Sequence, residues 1–187
     1  MTRPTYPSTC SDQDWYGWRA MERTTRNMIL AVTTLSGFIA TFAASSVNLA
    51  LPSIGEYFQA SAVILAWIVL AFVMAAGAVI MPVGRAADFL GHMRVFLVGM
   101  AAFTVLSFAS AVAPSVGALV AIRALHGLAA ALLFATNIAL VTFSQPPEAR
   151  GRALGILTAG VYLGTTVGPL LGGIITEHLG WRSLFLF

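Results

Sequence analysis

Long apolar stretches alternate with short polar turns along most of this chain. A helix needs about 20 residues to cross the hydrocarbon core of a bilayer, and five of the stretches are long enough. They cover residues 28–49, 61–81, 95–112, 116–143 and 154–176, and a sixth begins at residue 182 and stops at residue 187. The pattern predicts an all-α fold, a polytopic membrane helix bundle with five full spans and the start of a sixth.

Prolines and polar residues mark the predicted ends of these spans. Pro52 is expected to end the first span and Pro82 the second, and residues 113–115 leave room only for a tight connection between neighbouring antiparallel helices. The stub at residues 182–187 cannot cross roughly 30 Å of hydrocarbon at about 1.5 Å per residue. We therefore expect either the N-terminal part of a longer protein or a naturally truncated chain.

Glycines recur every four residues along the fifth span. They are Gly160, Gly164, Gly168 and Gly172, and they share one face of a helix. In water each would cost a helix about 1 kcal/mol, whereas in lipid the helix is retained and small residues let two helices approach closely. Pro169 cannot donate a hydrogen bond to the carbonyl of Thr165, so we predict a bent transmembrane helix built for close packing.

Composition agrees with a membrane setting. The chain is 58% hydrophobic and 9% charged, with a mean hydropathy of +0.86, where soluble domains carry about 25% charged residues. Its ten basic residues are all arginine and flank apolar runs without forming a dense patch, so nucleic acid is not an expected partner. The single Cys10 excludes an intrachain disulfide, and residues 1–26 form a polar tail that does not resemble a secretion signal.

Arginine counting predicts the orientation of the bundle. One side would hold the tail and the loops after the second and fourth spans, with Arg3, Arg19, Arg23, Arg26, Arg85, Arg94, Arg150 and Arg152, whereas the other side holds Arg182. The positive-inside rule then places the N-terminus in the cytoplasm of a multi-pass protein of the plasma or inner cell membrane.

Two of three further stretches with candidate chemistry lie inside predicted spans. Arg123 lies about 12 Å into the fourth span, and it shares a helix face with His126 and Gly127, which should point into the bundle or a wet cavity. The alternative for Arg123 is snorkelling to the headgroups. His126 could titrate near neutral pH or make one interhelical hydrogen bond. Asn48 lies at a comparable depth in the first span. It could be a neutral partner for Arg123, or it could form a hydrogen bond to a neighbouring helix.

The third stretch is the turn between the second and third spans. It contains Gly84, Asp88, Gly91 and Arg94, a combination that permits a tight turn with a carboxylate among basic groups. Asp88 could pair with a cation or cap a helix N-terminus. The alternative is a solvated loop with an incidental ion pair worth about 0 to 1 kcal/mol.

In this order, these stretches resemble the major facilitator superfamily and, within it, the drug/proton antiporters, especially the fourteen-span group. The fifth-helix antiporter motif is matched without a gap at Gly155, Gly164, Gly168, Pro169, Gly172 and Gly173. The turn between helices two and three is matched at Gly84, Ala87, Asp88, Gly91 and Arg94. The fourth-helix pattern is met by Arg123 and Gly127, the end of helix one by Asn48, Ala50, Leu51 and Pro52, and the entry into helix six by Trp181 and Arg182.

The resemblance implies a transporter in which two six-helix halves rock about a central site. It implies that Asp88 belongs to an inner latch with Gly84, Gly91 and Arg94, that Arg123 is linked to proton movement, and that residues 155–173 contact the opposite half. The implied partners are the lipid bilayer, a small-molecule substrate, protons and a C-terminal half that this chain lacks.

The chain departs from the family pattern at several positions. Ala43 stands where exporters usually carry an acid, Phe89 and Met93 replace basic residues, and His126 replaces a common glutamine. No Asp or Glu lies within the predicted spans, so a carboxylate that carries protons would lie elsewhere.

The leading interpretation is part of a proton-coupled exporter of drugs or other small amphipathic compounds. An uptake or metabolite facilitator of the same fold, and a truncated protein that does not transport, remain alternatives. Neither a Gly-x-Ser-x-Gly elbow nor a His-Glu-x-x-His motif is embedded in the sequence, so no enzyme, metal or cofactor is predicted.

Overall fold

Five long helices and one short 3-10 helix make up the part of the chain that the computed structural model describes, residues 22–186. They are α1 (Arg23–Phe58), α2 (Ala62–Leu90), α3 (His92–Ala111), α4 (Val116–Ser144) and α5 (Pro147–Leu179), followed by the 3-10 helix Trp181–Phe185. All five long helices are apolar enough to cross a membrane. The predicted all-α bundle is confirmed, while most of the predicted tail, with Cys10, lies outside the described residues.

The helices pack as two main pairs. α1 packs along α5 and α2 along α4, while α4 also contacts α3 and α1 and so occupies the centre of the bundle. The outer surface is apolar, with Met81 83% and Phe89 90% exposed. A surface of this kind suits lipid, because exposed apolar area carries little penalty there.

Two prolines do not end their helices, contrary to the sequence-based prediction. Pro52 lies inside α1, which continues to Phe58, and Pro82 lies inside α2, which continues to Leu90. In a bilayer an interrupted hydrogen-bond ladder is less costly than an unfolded backbone, so a proline need not end a helix. The helices are therefore longer than the predicted spans.

The connections differ in how well they were predicted. α4 begins at Val116 as expected, and the hydroxyl of Ser115 accepts a hydrogen bond from the Ala118 amide at 3.2 Å, which caps the helix. The predicted turn at residues 84–94 is helical except at Gly91, which lies between the end of α2 and the start of α3 and has a φ of 91°. Only glycine adopts such a backbone without strain, which explains the single-residue break.

Candidate functional site

Arg123 lies on the buried face of α4 with none of its surface exposed. Its Nε donates to the carbonyl oxygen of Ile68 on α2 at 3.4 Å, and its Nη1 lies 3.4 Å from Nδ1 of His126. The guanidinium carbon sits 4.4 Å from the centre of the Phe72 ring, close enough for a cation–π interaction. The charge points into the bundle as predicted, and the snorkelling alternative is wrong.

His126 lies one helical turn after Arg123 and is also fully buried. Its ring packs 4.1 Å from the ring of Phe103 on α3 and meets the Phe72 ring edge-on at 5.7 Å. Because an arginine can only donate, Nδ1 of His126 must accept, and the neutral ring then carries its proton on Nε2. That Nε2 is buried and has no partner among the described residues.

Gly127 lets α2 and α4 approach closely enough to form this cluster. A β-carbon at this position would overlap the backbone carbonyl of Phe72. The lack of a side chain at Gly127 brings the Phe72 ring within reach of both Arg123 and His126. The packing role predicted for Gly127 therefore has a specific basis, the contact of two helix backbones.

Arg123 has no carboxylate partner in the described part of the chain. Among residues 22–186, the only carboxylate that contacts a basic side chain is Asp88, which lies 3.2 Å from Nε2 of His92. Nη2 of Arg123 is buried without a hydrogen bond there, as is Nε2 of His126. Buried charges and donors are costly unless they are paired. The cluster therefore contains two buried nitrogens whose hydrogen bonds are not made within residues 22–186.

A small cavity lies beside the cluster. It has a volume of about 140 Å³ and is lined in part by Ile39 and Ala43 of α1 and by Met100, Phe103 and Ser107 of α3. Phe103 thus belongs both to the cavity wall and to the packing around His126. Ala43, where the resemblance implied an acid in exporters, lines this cavity with a methyl group.

Asn48 does not belong to this cluster, so its predicted pairing with Arg123 is wrong. Its side chain is exposed, and its amide nitrogen donates to the Ser45 carbonyl of its own helix at 3.3 Å. The alternative, a bond to a neighbouring helix, is also not seen. Counting residues gave the depth of Asn48, but its direction depends on how α1 rotates against its neighbours.

The four residues of the predicted latch lie near the α2–α3 junction. Gly84 lies within α2, Asp88 is exposed and pairs with His92, and Arg94 lies in the first turn of α3. Asp88 does not cap α3, which has no side-chain hydrogen bond at its N-terminus. The geometry thus pairs Asp88 with a histidine, while its role toward a second half remains a prediction.

The glycine stripe of α5 packs against α1 of the same bundle. A β-carbon on any of its four glycines would collide with α1. At Gly160 it would meet Thr34, and at Gly164 it would meet Phe38 and Thr41. At Gly168 it would meet Ser45, and at Gly172 it would meet Ser46. Hydroxyls of α1 also donate to α5 carbonyls, from Thr41 to Val161 at 3.0 Å and from Ser45 to Gly164 at 3.3 Å. The expectation that this face meets the opposite half is wrong for these four glycines.

The remaining motif positions of α5 lie outside that contact. Gly155 is exposed with no neighbour near its missing β-carbon, and Gly173 has only Leu49 at 3.8 Å. Pro169 lies within α5, which continues to Leu179. The bend expected at Pro169 stays a prediction.

One buried polar pair was not predicted from the sequence. Ser36 of α1 donates to Oδ1 of Asn137 on α4 at 3.1 Å, and both side chains are almost fully buried. Asn137 lies fourteen residues after Arg123, close to the same face of α4. That spacing is the signal that could have identified the pair.

Comparison with known proteins identifies the family. The sequence profile of the Major Facilitator Superfamily matches residues 33–187. The chain belongs to the major facilitator superfamily, whose members are transporters. The predicted resemblance to its drug-exporting members is confirmed.

Several relatives are named for drug resistance or export. The chain is 38% identical over 162 residues to the multidrug resistance protein Stp of Mycobacterium tuberculosis, which covers 86% of this chain and 30% of Stp. It is 36% identical over 170 residues to the cephamycin export protein CmcT of Amycolatopsis lactamdurans, and the match covers 90% of this chain and 35% of CmcT. It is 31% identical over 159 residues to the riboflavin transporter RibZ of Clostridioides difficile, and the match covers 85% of this chain and 35% of RibZ. The chain spans about a third of the length of these relatives.

Proposed function

We propose that this chain forms the N-terminal helices of a secondary active transporter that exports drugs or other small amphipathic compounds by alternating access, coupled to protons. The observation that carries the proposal is the fully buried Arg123, which has no carboxylate partner among residues 22–186. Ionisable groups inside a membrane bundle are costly, and those present usually belong to substrate or ion pathways. The names of Stp and CmcT support export over uptake.

In this proposal the Arg123 cluster responds to the occupant of the site. Nη2 of Arg123 and Nε2 of His126 are donors without acceptors in the described part of the chain. An acceptor presented by the substrate, or by a carboxylate on helices beyond this length, would complete the cluster and favour one conformation of the transporter. The five carboxylates within residues 22–186 are Glu22, Glu56, Asp88, Glu148 and Glu177, all outside the predicted spans.

The membrane setting supplies the remaining partners. We place the protein in the plasma or inner cell membrane with its N-terminus in the cytoplasm, following the distribution of arginines. The substrate would enter a cavity between this bundle and a second set of helices, at the depth of Arg123.

A metabolite transporter is the second candidate, because RibZ is named for riboflavin. Both candidates share the fold and differ in substrate and direction. Cells that express the full-length transporter should accumulate less ethidium than empty cells, and they should show no gain in riboflavin uptake. The reverse pattern would replace export with metabolite uptake.

The experiment that tests the site compares two arginines. Arg123→Ala should abolish ethidium efflux, whereas Arg85→Ala, which removes an exposed arginine of α2, should leave efflux intact. The 187-residue chain expressed alone should give no efflux. Efflux at the normal rate in Arg123→Ala cells would remove Arg123 from the mechanism, and efflux by the chain alone would refute the need for further helices.

A further inference from the structure

A cavity rich in arginine lies at the end of the bundle where α1 begins. Its volume is about 530 Å³, and its wall includes Arg23 and Arg26 of α1, Gln145, and Arg152 of α5. No carboxylate is among its lining residues in the described part of the chain. Three guanidinium groups around one cavity favour an anion, since arginine matches the geometry of phosphate and carboxylate.

Two further features of this cavity favour negative charge. α5 begins at its edge, with Pro146 and Ala149 in the wall, so the positive end of that helix dipole points toward it. Nε of Arg26 is buried and has no hydrogen-bond partner among the described residues. The cavity therefore offers a donor that an anion could satisfy.

An apolar groove continues from the arginine cavity between α1 and α5. The groove has a volume of about 440 Å³ and shares Asn27, Leu30 and Ile156 with the cavity. Farther along it is lined by Ala31, Thr34, Leu35, Phe38, Gly160 and Leu163. The polar cavity and the apolar groove are therefore neighbours with three wall residues in common.

The length of the groove matches one leaflet of a membrane. From residue 27 to residue 38 a helix rises about 17 Å, and half of a hydrocarbon core of about 30 Å is about 15 Å. One acyl chain would therefore occupy the groove while its headgroup lies among the arginines. A free phosphate ion lacks the hydrocarbon part that would fill the groove.

We propose that the arginine cavity and the groove together bind one anionic phospholipid, with its phosphate among Arg23, Arg26 and Arg152 and an acyl chain between α1 and α5. Basic pockets between transmembrane helices recognise lipid headgroups by charge and hydrogen bonding. The lipid would fill the space beside Gly160 and stabilise the packing of the two helices. This inference depends on the membrane setting and is independent of which substrate is transported.

The first test measures retained lipid. The full-length transporter is placed in nanodiscs of equal phosphatidylglycerol and phosphatidylcholine and released from them, and native mass spectrometry counts the lipid adducts. Phosphatidylglycerol should dominate, and Arg152→Gln should reduce it about fivefold, the effect expected for one arginine near a membrane surface. Arg85→Gln, which neutralises an equally exposed arginine outside the cavity, should change nothing.

The second test separates a lipid from a free anion. Ala31→Phe should fill the groove and release phosphatidylglycerol although all arginines remain. Ala101→Phe is the control, because Ala101 is exposed on α3 at a similar distance from its helix start and outside the groove. Millimolar inorganic phosphate should not displace the lipid from the unaltered chain.

Three results would overturn the proposal. Equal retention of phosphatidylcholine would leave only an unspecific apolar groove, and retention unaffected by Arg152→Gln would remove the arginines from the site. Displacement of the lipid by inorganic phosphate would indicate a free anion site. If Ala31→Phe fails to fold, two results still test the proposal: the comparison of the two lipids in the unaltered chain, and the effect of Arg152→Gln.

Discussion

Two helix pairs in this bundle pack backbone against backbone, and they differ in what the contact encloses. Between α1 and α5, four glycines meet small side chains, and hydroxyls of Thr41 and Ser45 bond to carbonyls across the contact. Between α2 and α4, Gly127 creates the approach, and the enclosed groups are Arg123 and His126. One contact encloses small side chains, while the other encloses a charge.

The two contacts should therefore respond differently to the rest of the molecule. Close packing of small residues is the usual source of stability between transmembrane helices, so we expect α1 and α5 to stay together. Both contacts bury donors that lack acceptors within residues 22–186: the hydroxyls of Thr34 and Ser46 in the first, and Nη2 of Arg123 and Nε2 of His126 in the second. An unpaired buried charge costs more than an unpaired hydroxyl, so the second contact gains more stability when a further group arrives. In the proposed transporter, the first pair would hold the fold together and the second pair would change its contacts when the site is filled.

The largest effect is expected from a bulky residue in the glycine stripe. A β-carbon at Gly168 would already overlap the hydroxyl of Ser45, and leucine adds three more carbons. Gly168→Leu should therefore force α1 and α5 apart, costing about 3 kcal/mol or more, and most of the protein should be lost from the monodisperse peak in size-exclusion chromatography.

Gly155→Leu is the matched control on the same helix, because nothing lies near its missing β-carbon. It should elute like the unaltered chain. Equal losses for Gly155→Leu and Gly168→Leu would mean that the stripe has no special role in packing.

A smaller effect is expected from alanine at the α2–α4 contact. Gly127→Ala should destabilise the chain by about 1 to 3 kcal/mol, because its β-carbon meets the Phe72 backbone, which cannot move independently of the helix. Gly77→Ala, in open space on α2, should instead stabilise by about 1 kcal/mol because alanine favours helix. Unfolding in mixed micelles of increasing SDS measures both, and a stable Gly127→Ala protein would contradict the contact.

The smallest effect is expected at the pair that joins α1 to α4. Ser36→Ala and Asn137→Ala, singly and together, form a double-mutant cycle around the 3.1 Å hydrogen bond. The coupling energy should be about 0.6 kcal/mol, the average for hydrogen bonds between transmembrane helices. The same SDS titration measures the cycle, and a coupling of zero would mean that the bond does not contribute.

The number and type of the helices could be predicted from the sequence because long apolar runs indicate that lipid surrounds the chain. An apolar run long enough to cross a bilayer has few alternatives to a helix. The helix ends were harder to predict, since Pro52 and Pro82 are strong helix breakers in water but are retained within membrane helices. Rules taken from soluble proteins therefore shortened the predicted spans.

The candidate site was predicted in part, for a related reason. Residue counting gives the depth of a side chain along a helix, and it placed Arg123 and His126 correctly on one face. It does not give the rotation of that helix against its neighbours, so Asn48 was assigned to the cluster although it points outward. The partner of the glycine stripe depends on tertiary packing in the same way.

Proton-driven transport by the reconstituted full-length protein is the most direct test of the central proposal, that the buried Arg123 takes part in proton-coupled export. A pH gradient across vesicles should drive accumulation of a fluorescent drug by the unaltered protein and by Arg85→Ala. Arg123→Ala should show only passive leakage, and Arg123→Lys should recover little because lysine lacks the planar group that contacts Ile68 and Phe72. Gradient-driven accumulation at the normal rate by folded Arg123→Ala protein would contradict the account.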